Sequence, residues 1–359
     1  MQLLGGGSLA PMIFTWPDIL THLIDGEDLD ADAARWAMAQ VLAGDASQAQ
    51  MAAFLVALRV KGETVVEIDS MAQAMLDAAT PITLDTHAVD IVGSGGDRAN
   101  TVNVSTMAAI VATAAGAKVV KHGNRASSSK CGTADCLEEL GLALEVEPAR
   151  QQEVLERTGM VFLYAPMYHT ALRHISPVRR DLAIQTTMNF LGPLANPARP
   201  DAQALGMANR RMADLVAGVI AHRGNRGLVF HGTDGLDELT TTGPSDIWLV
   251  RGGQVVETVF DPTTIGIAPA APADLVGGNS AVNARVVREL LSGRKGPVRD
   301  IVELNAAAAL LAYDGPDLNV PVTDQIAERI SRAAAAIDDG QAADLFDRWI
   351  ATNAELATR

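Results

Sequence analysis

Val89-Asp90-Ile91-Val92-Gly93-Ser94-Gly95-Gly96-Asp97 decides the fold. A short apolar run meets a glycine cluster, and an Ala-rich helical segment follows, with Ser105 read as its cap and Gly116 as its end. Strand, glycine loop and helix together open a parallel α/β unit. The alternation recurs downstream. Lys118-Val119-Val120-Lys121 reads as a strand, and a helix from Thr133 to Leu140 stops at Gly141. Val161-Phe162-Leu163-Tyr164 and Leu228-Val229-Phe230-His231 read as further strands. Ile247 to Val250 and Val255 to Val259 flank Arg251-Gly252-Gly253-Gln254, a hairpin signal. The last hundred or so residues are mostly helix. The pattern predicts an α/β fold with a mainly parallel central sheet flanked by helices.

Upstream, residues 15 to 80 read as helices only. Thr15 caps the first, with Pro17 in its opening turn and Ile19, Leu20 and Leu23 as its stripe. Others run from Asp30 to Gly44, from Ser47 to Gly62, and through Val65, Ile68, Met71 and Met75, with Pro81 closing the block. The start, Met1 to Ser8, lacks the basic region of a signal peptide, and residues 1–12 read as an unstructured leader.

The chain has 359 residues and a formal charge of −15, which disfavours nucleic acid and anionic membranes as partners. No stretch reaches the ~18 apolar residues that span a bilayer. Cys131 and Cys136 match neither a metal-ligand spacing nor a disulfide framework, and read as reduced thiols of a cytoplasmic protein.

Five segments carry possible chemistry. Glycines in Gly93-Ser94-Gly95-Gly96-Asp97 let backbone N–H groups converge on an anion; Arg98 breaks the dinucleotide fingerprint, and no Walker Lys follows. Asn100-Thr101-Val102-Asn103-Val104-Ser105-Thr106 places small polar groups at a helix start, where phosphate is favoured. Lys118, Lys121, Arg125 and Lys130, interleaved with His122, Gly123, Asn124, Ala126, Ser127, Ser128 and Ser129, suit an anion cradle. Asp237 and Glu238, in Asp234-Gly235-Leu236-Asp237-Glu238 after a strand, repel each other unless a cation such as Mg²⁺ lies between them. Pro166 to His169 and Arg173 to Arg180 could hold a flat organic acid. There is no nucleophile elbow and no metalloprotease motif. Together these describe a Mg²⁺-diphosphate site beside a pocket for a flat acid, and a reaction that needs charge neutralisation more than covalent help.

Val92 to Asp97, Asn103 to Thr106, Lys121 to Ser129, Gly132 to Asp135, Asn189 to Pro197 and Asp234 to Glu238 resemble the anthranilate phosphoribosyltransferase family. The resemblance runs from the N-terminal helices to about residue 314. It implies transfer of a phosphoribosyl group from phosphoribosyl diphosphate to anthranilate in tryptophan biosynthesis. It also implies a homodimer through the helical domain. That domain would span 13–85, with a helical contribution from about 168–190, and the phosphoribosyl diphosphate-binding domain 86–359. By motif position, Gly93, Gly96, Asp97, Thr101, Asn103, Val104, Ser105, Thr106, Lys121 to Ser129 and Thr133 would hold phosphoribosyl diphosphate. Ser105, Asp237 and Glu238 would bind Mg²⁺. Lys121, Asp97 and Arg179 would be catalytic, Asn124 and Arg179 would meet anthranilate, and His122, Pro166, Tyr168 and His169 would line its approach. Ala183-Ile184-Gln185 departs from the family's Gly-x-Arg, and Thr170 from its Pro. A nucleoside phosphorylase and a nucleic-acid-binding relative are rival readings; the first lacks its basic-serine signature here, and the charge disfavours the second.

Overall fold

The computed structural model describes residues 14–126 and 129–358. Four helices come first: α1 (Trp16–Ile24), α2 (Ala31–Ala43), α3 (Gln48–Lys61) and α4 (Val65–Asp77). Their ends follow from local chemistry. Thr15 and Asp30 accept from the N–H groups of Asp18 and Ala33, and Ser47 and Thr64 complete reciprocal capping boxes with Gln50 and Glu67. Gly44 closes α2 in the left-handed region. The proposed leader lies outside the described residues.

The alternating region follows. It begins with β1 (Val89–Gly93), α5 (Val104–Ala114), β2 (Val119–Gly123), α6 (Thr133–Glu139), α7 (Gln151–Thr158) and β3 (Met160–Tyr164). Three short helices come next: α8 (Ala165–Tyr168), α9 (Ser176–Leu182) and α10 (Met188–Leu194). Then come β4 (Ala202–Gly206), α11 (Arg210–His222), β5 (Arg226–Gly232), β6 (Ser245–Arg251) and β7 (Gln254–Phe260). Four helices end the chain: α12 (Ser280–Leu291), α13 (Pro297–Asp314), α14 (Val322–Asp338) and α15 (Gln341–Ala357).

The sheet runs β3-β2-β1-β4-β5-β6-β7, parallel from β3 to β5 and antiparallel beyond. The antiparallel pair is the expected hairpin, and Gly252 and Gly253 both take positive φ, as its tight turn requires. One core joins α5, α12, α13, α14 and α15 to one side of the sheet. A second runs from α1–α4 through Ile175, Val178, Met188 and Phe190 into α11 and the opposite side of β4 to β6. The segment around α9 and α10 therefore packs with the N-terminal helices, although it lies a hundred residues downstream.

Two sequence readings need correction. Strand β4 carried no signal, because Ala202-Gln203-Ala204-Leu205-Gly206 is short and poor in β-branched residues. It is nonetheless the central strand, and every residue in it is buried. Ser105 does not cap α5. The helix starts one residue earlier, and Asn103 at the cap position makes no side-chain capping bond. The first turn of α5 therefore has no side-chain cap of its own.

Candidate active site

The strand order reverses between β1 and β4, since β2 lies on one side of β1 and β4 on the other. In open α/β sheets, ligands bind at the carboxyl ends of strands at such a reversal. Gly93 and Gly206 end the two strands and are paired in register. The loop after β5 lies over both. A Cβ at Gly93 would come within 2.3 Å of Asp237 Oδ2, and one at Gly206 within 1.7 Å of the Asp237 carbonyl oxygen. Glycine is required at both positions because the acid loop touches the strand ends.

Around this floor the motif residues converge. Gly95 N–H donates to Asp237 Oδ2 at 2.6 Å, so the glycine loop binds a carboxylate in the manner expected for an anion. Asp97 stands beside Asp237, and Glu238 lies beside the main chain of Ser105 in the first turn of α5. Burial first, then the neighbouring Asp97 charge, raises the Asp237 carboxyl to about 7. Burial and the Asp237 charge raise Glu238 well above its ordinary range. Lys121 is buried, and its ammonium donates to Ile91 O and, at 3.2 Å, to Ser105 Oγ. Burial lowers its pKa, and Asp90, Glu238 and Asp237 oppose that shift. Arg98 and Asn100, both non-glycine, take φ of 62° and 53°. Strained backbone of this kind persists only where surrounding contacts fix it.

The other side of the cleft is less crowded. Thr106 and Thr133 bring their hydroxyls together at 3.3 Å, linking the starts of α5 and α6. Val104 is buried in the first turn of α5, and Thr101 bridges Val276. Arg179 is half-buried with its pKa lowered by burial, and no partner for its guanidinium is found among the described residues. Gln185 reaches the glycine loop, its Nε2 lying 3.0 Å from where a Cβ of Gly96 would be. Ala183 ends α9 at φ 52°, a conformation glycine adopts without strain.

Several expected members fall elsewhere. Lys118 pairs with Asp85 at the opposite end of β2. Arg125 is held by Asp135, Glu138 and the Tyr164 hydroxyl, and Asp135 also accepts the Ala126 and Gly132 N–H groups. The four cations therefore do not converge, because nearby carboxylates satisfy two of them. Asn124 turns its side-chain oxygen back to the Arg125 N–H, and Ser129 and Lys130 are exposed; Ser127 and Ser128 lie outside the described residues. Tyr168 does not line an approach: it is fully buried in the core, and its carbonyl accepts from Thr80 N–H. His169 is buried too, with Nε2 on Ala195 O at 2.8 Å and its ring 5.2 Å from that of His122.

Burial, with the neighbouring His169 and Lys121, lowers the His122 pKa to about 3. The unfolded chain binds its proton near pH 6.5, so folding stability from this site is complete above that pH and is lost as pH falls toward 3. The expected slope reaches ~1.4 kcal/mol per pH unit. Urea unfolding of wild type and His122→Gln between pH 7.5 and 5 should show the smaller decline in the variant; equal declines would exclude this assignment.

Sequence reasoning missed four positioning residues. Asp90, read only as part of an apolar strand, is buried behind Lys121, and burial raises its pKa to about 6. Asn196 donates both to Asp90 Oδ2 and to Val120 O. Asn283 donates to Asn103 Oδ1 at 2.8 Å, and Asn305 grips Leu239, next to Glu238. The available signal was a polar residue interrupting an otherwise apolar stretch.

This architecture places the chain in a class. Residues 85–343 match the glycosyl transferase family α/β domain, and residues 17–79 match its helical bundle domain. Within that class, the chain is 54% identical over 337 residues to the anthranilate phosphoribosyltransferase of an Arthrobacter species, covering 94% of this chain and 96% of that one. It is 51% identical to the enzyme of that name from Thermobifida fusca, with the same coverage. The crystal structure of anthranilate phosphoribosyltransferase from Thermus thermophilus superposes with a TM-score of 0.87 at 39% identity, over 94% of this chain and 99% of that one. The Saccharomyces cerevisiae enzyme in complex with PRPP and Mg gives 0.84 at 26% identity, covering 95% and 98%. The chain belongs to the anthranilate phosphoribosyltransferase family, whose members transfer the 5-phosphoribosyl group of phosphoribosyl diphosphate to anthranilate in tryptophan biosynthesis.

Proposed function

We propose that the cleft over Gly93 and Gly206 binds Mg²⁺-phosphoribosyl diphosphate and that Arg179 receives the anthranilate carboxylate. The observation carrying this reading is the convergence of Asp97, Asp237 and Glu238 on Lys121 and Ser105 at the sheet reversal. Among the described residues no cluster of three or more His, Cys, Asp or Glu side chains forms a metal cage. Mg²⁺ takes one or two carboxylates and completes its shell with water and substrate phosphates. Asp237, Glu238 and the Ser105 hydroxyl fit as its protein ligands, being buried, mutually repelling acids beside an oxygen donor. When bound, the ion neutralises charge on the departing diphosphate.

The chain's own residues do the rest. Glycine-loop amides and the α5 N-terminus receive phosphate oxygens, with Thr106 and Thr133 as hydroxyl donors. Lys121 balances the acid pair and orients the Ser105 hydroxyl; the contacts it makes support positioning rather than direct contact with diphosphate. The C1–O bond to diphosphate breaks, a C1–N bond to the arylamine forms, and the amine proton leaves to solvent. Arg179 holds the acceptor by a bidentate carboxylate contact, consistent with its partnerless, desolvated guanidinium.

Loss of anthranilate fluorescence in the presence of phosphoribosyl diphosphate and Mg²⁺ tests the activity, and no loss would end the reading. Arg179→Ala should raise KM for anthranilate at least tenfold with KM for phosphoribosyl diphosphate nearly unchanged. Equal effects on both would refute its acceptor role. A homodimer through the helical domain is supported by apolar side chains exposed there: Ile24 at the end of α1, and Val56 and Val60 one turn apart on α3. Val60→Asp should shift the mass measured by light scattering from dimer toward monomer.

A further inference from the structure

We propose that Asn305 is a positioning residue for the acid pair, a peptide mimic in the middle of α13 that fixes the main chain carrying Glu238. Its side-chain oxygen accepts from Leu239 N–H at 3.0 Å, and its amide nitrogen donates to Leu239 O at 2.9 Å and to Ile301 O at 2.8 Å. Asn305 is fully buried, so all of its polar capacity in this direction is given to protein rather than water. Among the described residues, no other group is hydrogen-bonded to the Leu239 backbone. The oxygen is acceptor only and the amide donor only, so one side chain satisfies both main-chain groups of a single residue, as a neighbouring strand would.

The loop between β5 and β6 needs this. At its start, Asp234 binds Leu236 N–H and the hydroxyls of Thr240 and Thr242, which folds the loop on itself. Those contacts give internal shape but no attachment to the helix layer. Asn305 supplies that attachment next to Glu238. Helix α13 also packs on α5, the helix whose first turn, at Ser105, lies beside Glu238. Acid pair and helix start are thus referenced to the same rigid neighbour. Side chains that orient metal-holding carboxylates typically contribute 10–100-fold to metal affinity or activity.

This inference rests on Glu238 holding metal. Asn305→Ala should weaken Mn²⁺ binding in the presence of phosphoribosyl diphosphate at least tenfold, read by electron spin resonance. KM for anthranilate should stay within twofold. In metal-free protein, the Leu239 amide should exchange its hydrogen faster. Gln325→Ala is the matched control. Gln325 grips Asp317 and Val320 with three similar bonds, remote from the cleft. It should lose comparable stability with Mn²⁺ binding unchanged. If Asn305→Ala fails to fold, Asn305→Ser takes its place with the same expected weakening. Unchanged Mn²⁺ binding in the folded Asn305 variant, or equal weakening in Gln325→Ala, would overturn the proposal. Unchanged Mn²⁺ binding in Glu238→Ala would instead remove the underlying reading of the acid pair.

Discussion

Lys121→Met should lower turnover roughly a hundredfold or more, the largest effect expected of a single side chain here. Its ammonium is the cation facing Asp90, Asp237 and Glu238, and it is buried with them. Methionine keeps most of the volume, so the loss is one of charge and of the hydrogen bonds to Ile91 O and Ser105 Oγ. Removing one partner from a buried ionic group costs about 3–5 kcal/mol, because the remaining charges stay desolvated and uncompensated. Such a cost, felt in the transition state, corresponds to about two to four orders of magnitude in rate. Stability should fall as well, with a characteristic pH dependence. Asp90 and Asp237, raised by burial to about 6 and about 7, stand ionised at pH 8 and take up protons as pH falls. A protonated pair needs no cation, so the stability deficit of the variant should be largest near pH 8 and shrink below pH 6. Steady-state kinetics at pH 8, with urea unfolding at pH 8 and 5.5, would check both. Turnover within threefold of wild type would refute the assignment.

Glu238→Ala should cut turnover at least tenfold, and Glu238→Gln by a similar factor. The two carboxylates are not equivalent. Asp237 already accepts from Gly95 N–H at 2.6 Å and stands against Asp97, whereas Glu238 lies beside Ser105 at the start of α5 and faces Lys121. Glutamine preserves the volume and a carbonyl oxygen but not the charge, so parallel losses in the two variants would identify charge as the active property. A titration with Mg²⁺ separates weaker binding from loss of function, since weaker binding is recovered at high metal. Unchanged turnover in Glu238→Ala together with an unchanged apparent affinity for Mg²⁺ would exclude the role.

Much of this site was legible because its chemistry is local in sequence. The glycine loop, the polar start of α5 and the Asp237-Glu238 pair each form a contiguous signal, and each lies at a strand or helix end. The all-helical block was equally readable, since Thr15, Asp30 and Ser47 announce their helices and apolar spacing marks the fourth. What was hidden depends on pairing over long distances. Strand β4 has an ordinary composition and owes its place to neighbours on both sides. The fate of Arg125 was decided by Glu138, thirteen residues on, and a count of positive charges cannot register that partner. Asn196, Asn283 and Asn305 stand alone in apolar surroundings, so nothing nearby in the chain declares what each one grips. Asp90 looked like an interruption in a strand, yet it supports the lysine one strand away.

The floor made by Gly93 and Gly206 has a consequence for anyone reshaping this enzyme. What lies over Gly206 is a carbonyl oxygen, part of the chain itself. Trimming neighbouring side chains therefore cannot create room for a methyl group there, and compensating changes would have to reroute the whole loop. Libraries that seek new acceptors should leave these two positions untouched and vary Arg179, Ala183 and Gln185 instead, where the surroundings can yield.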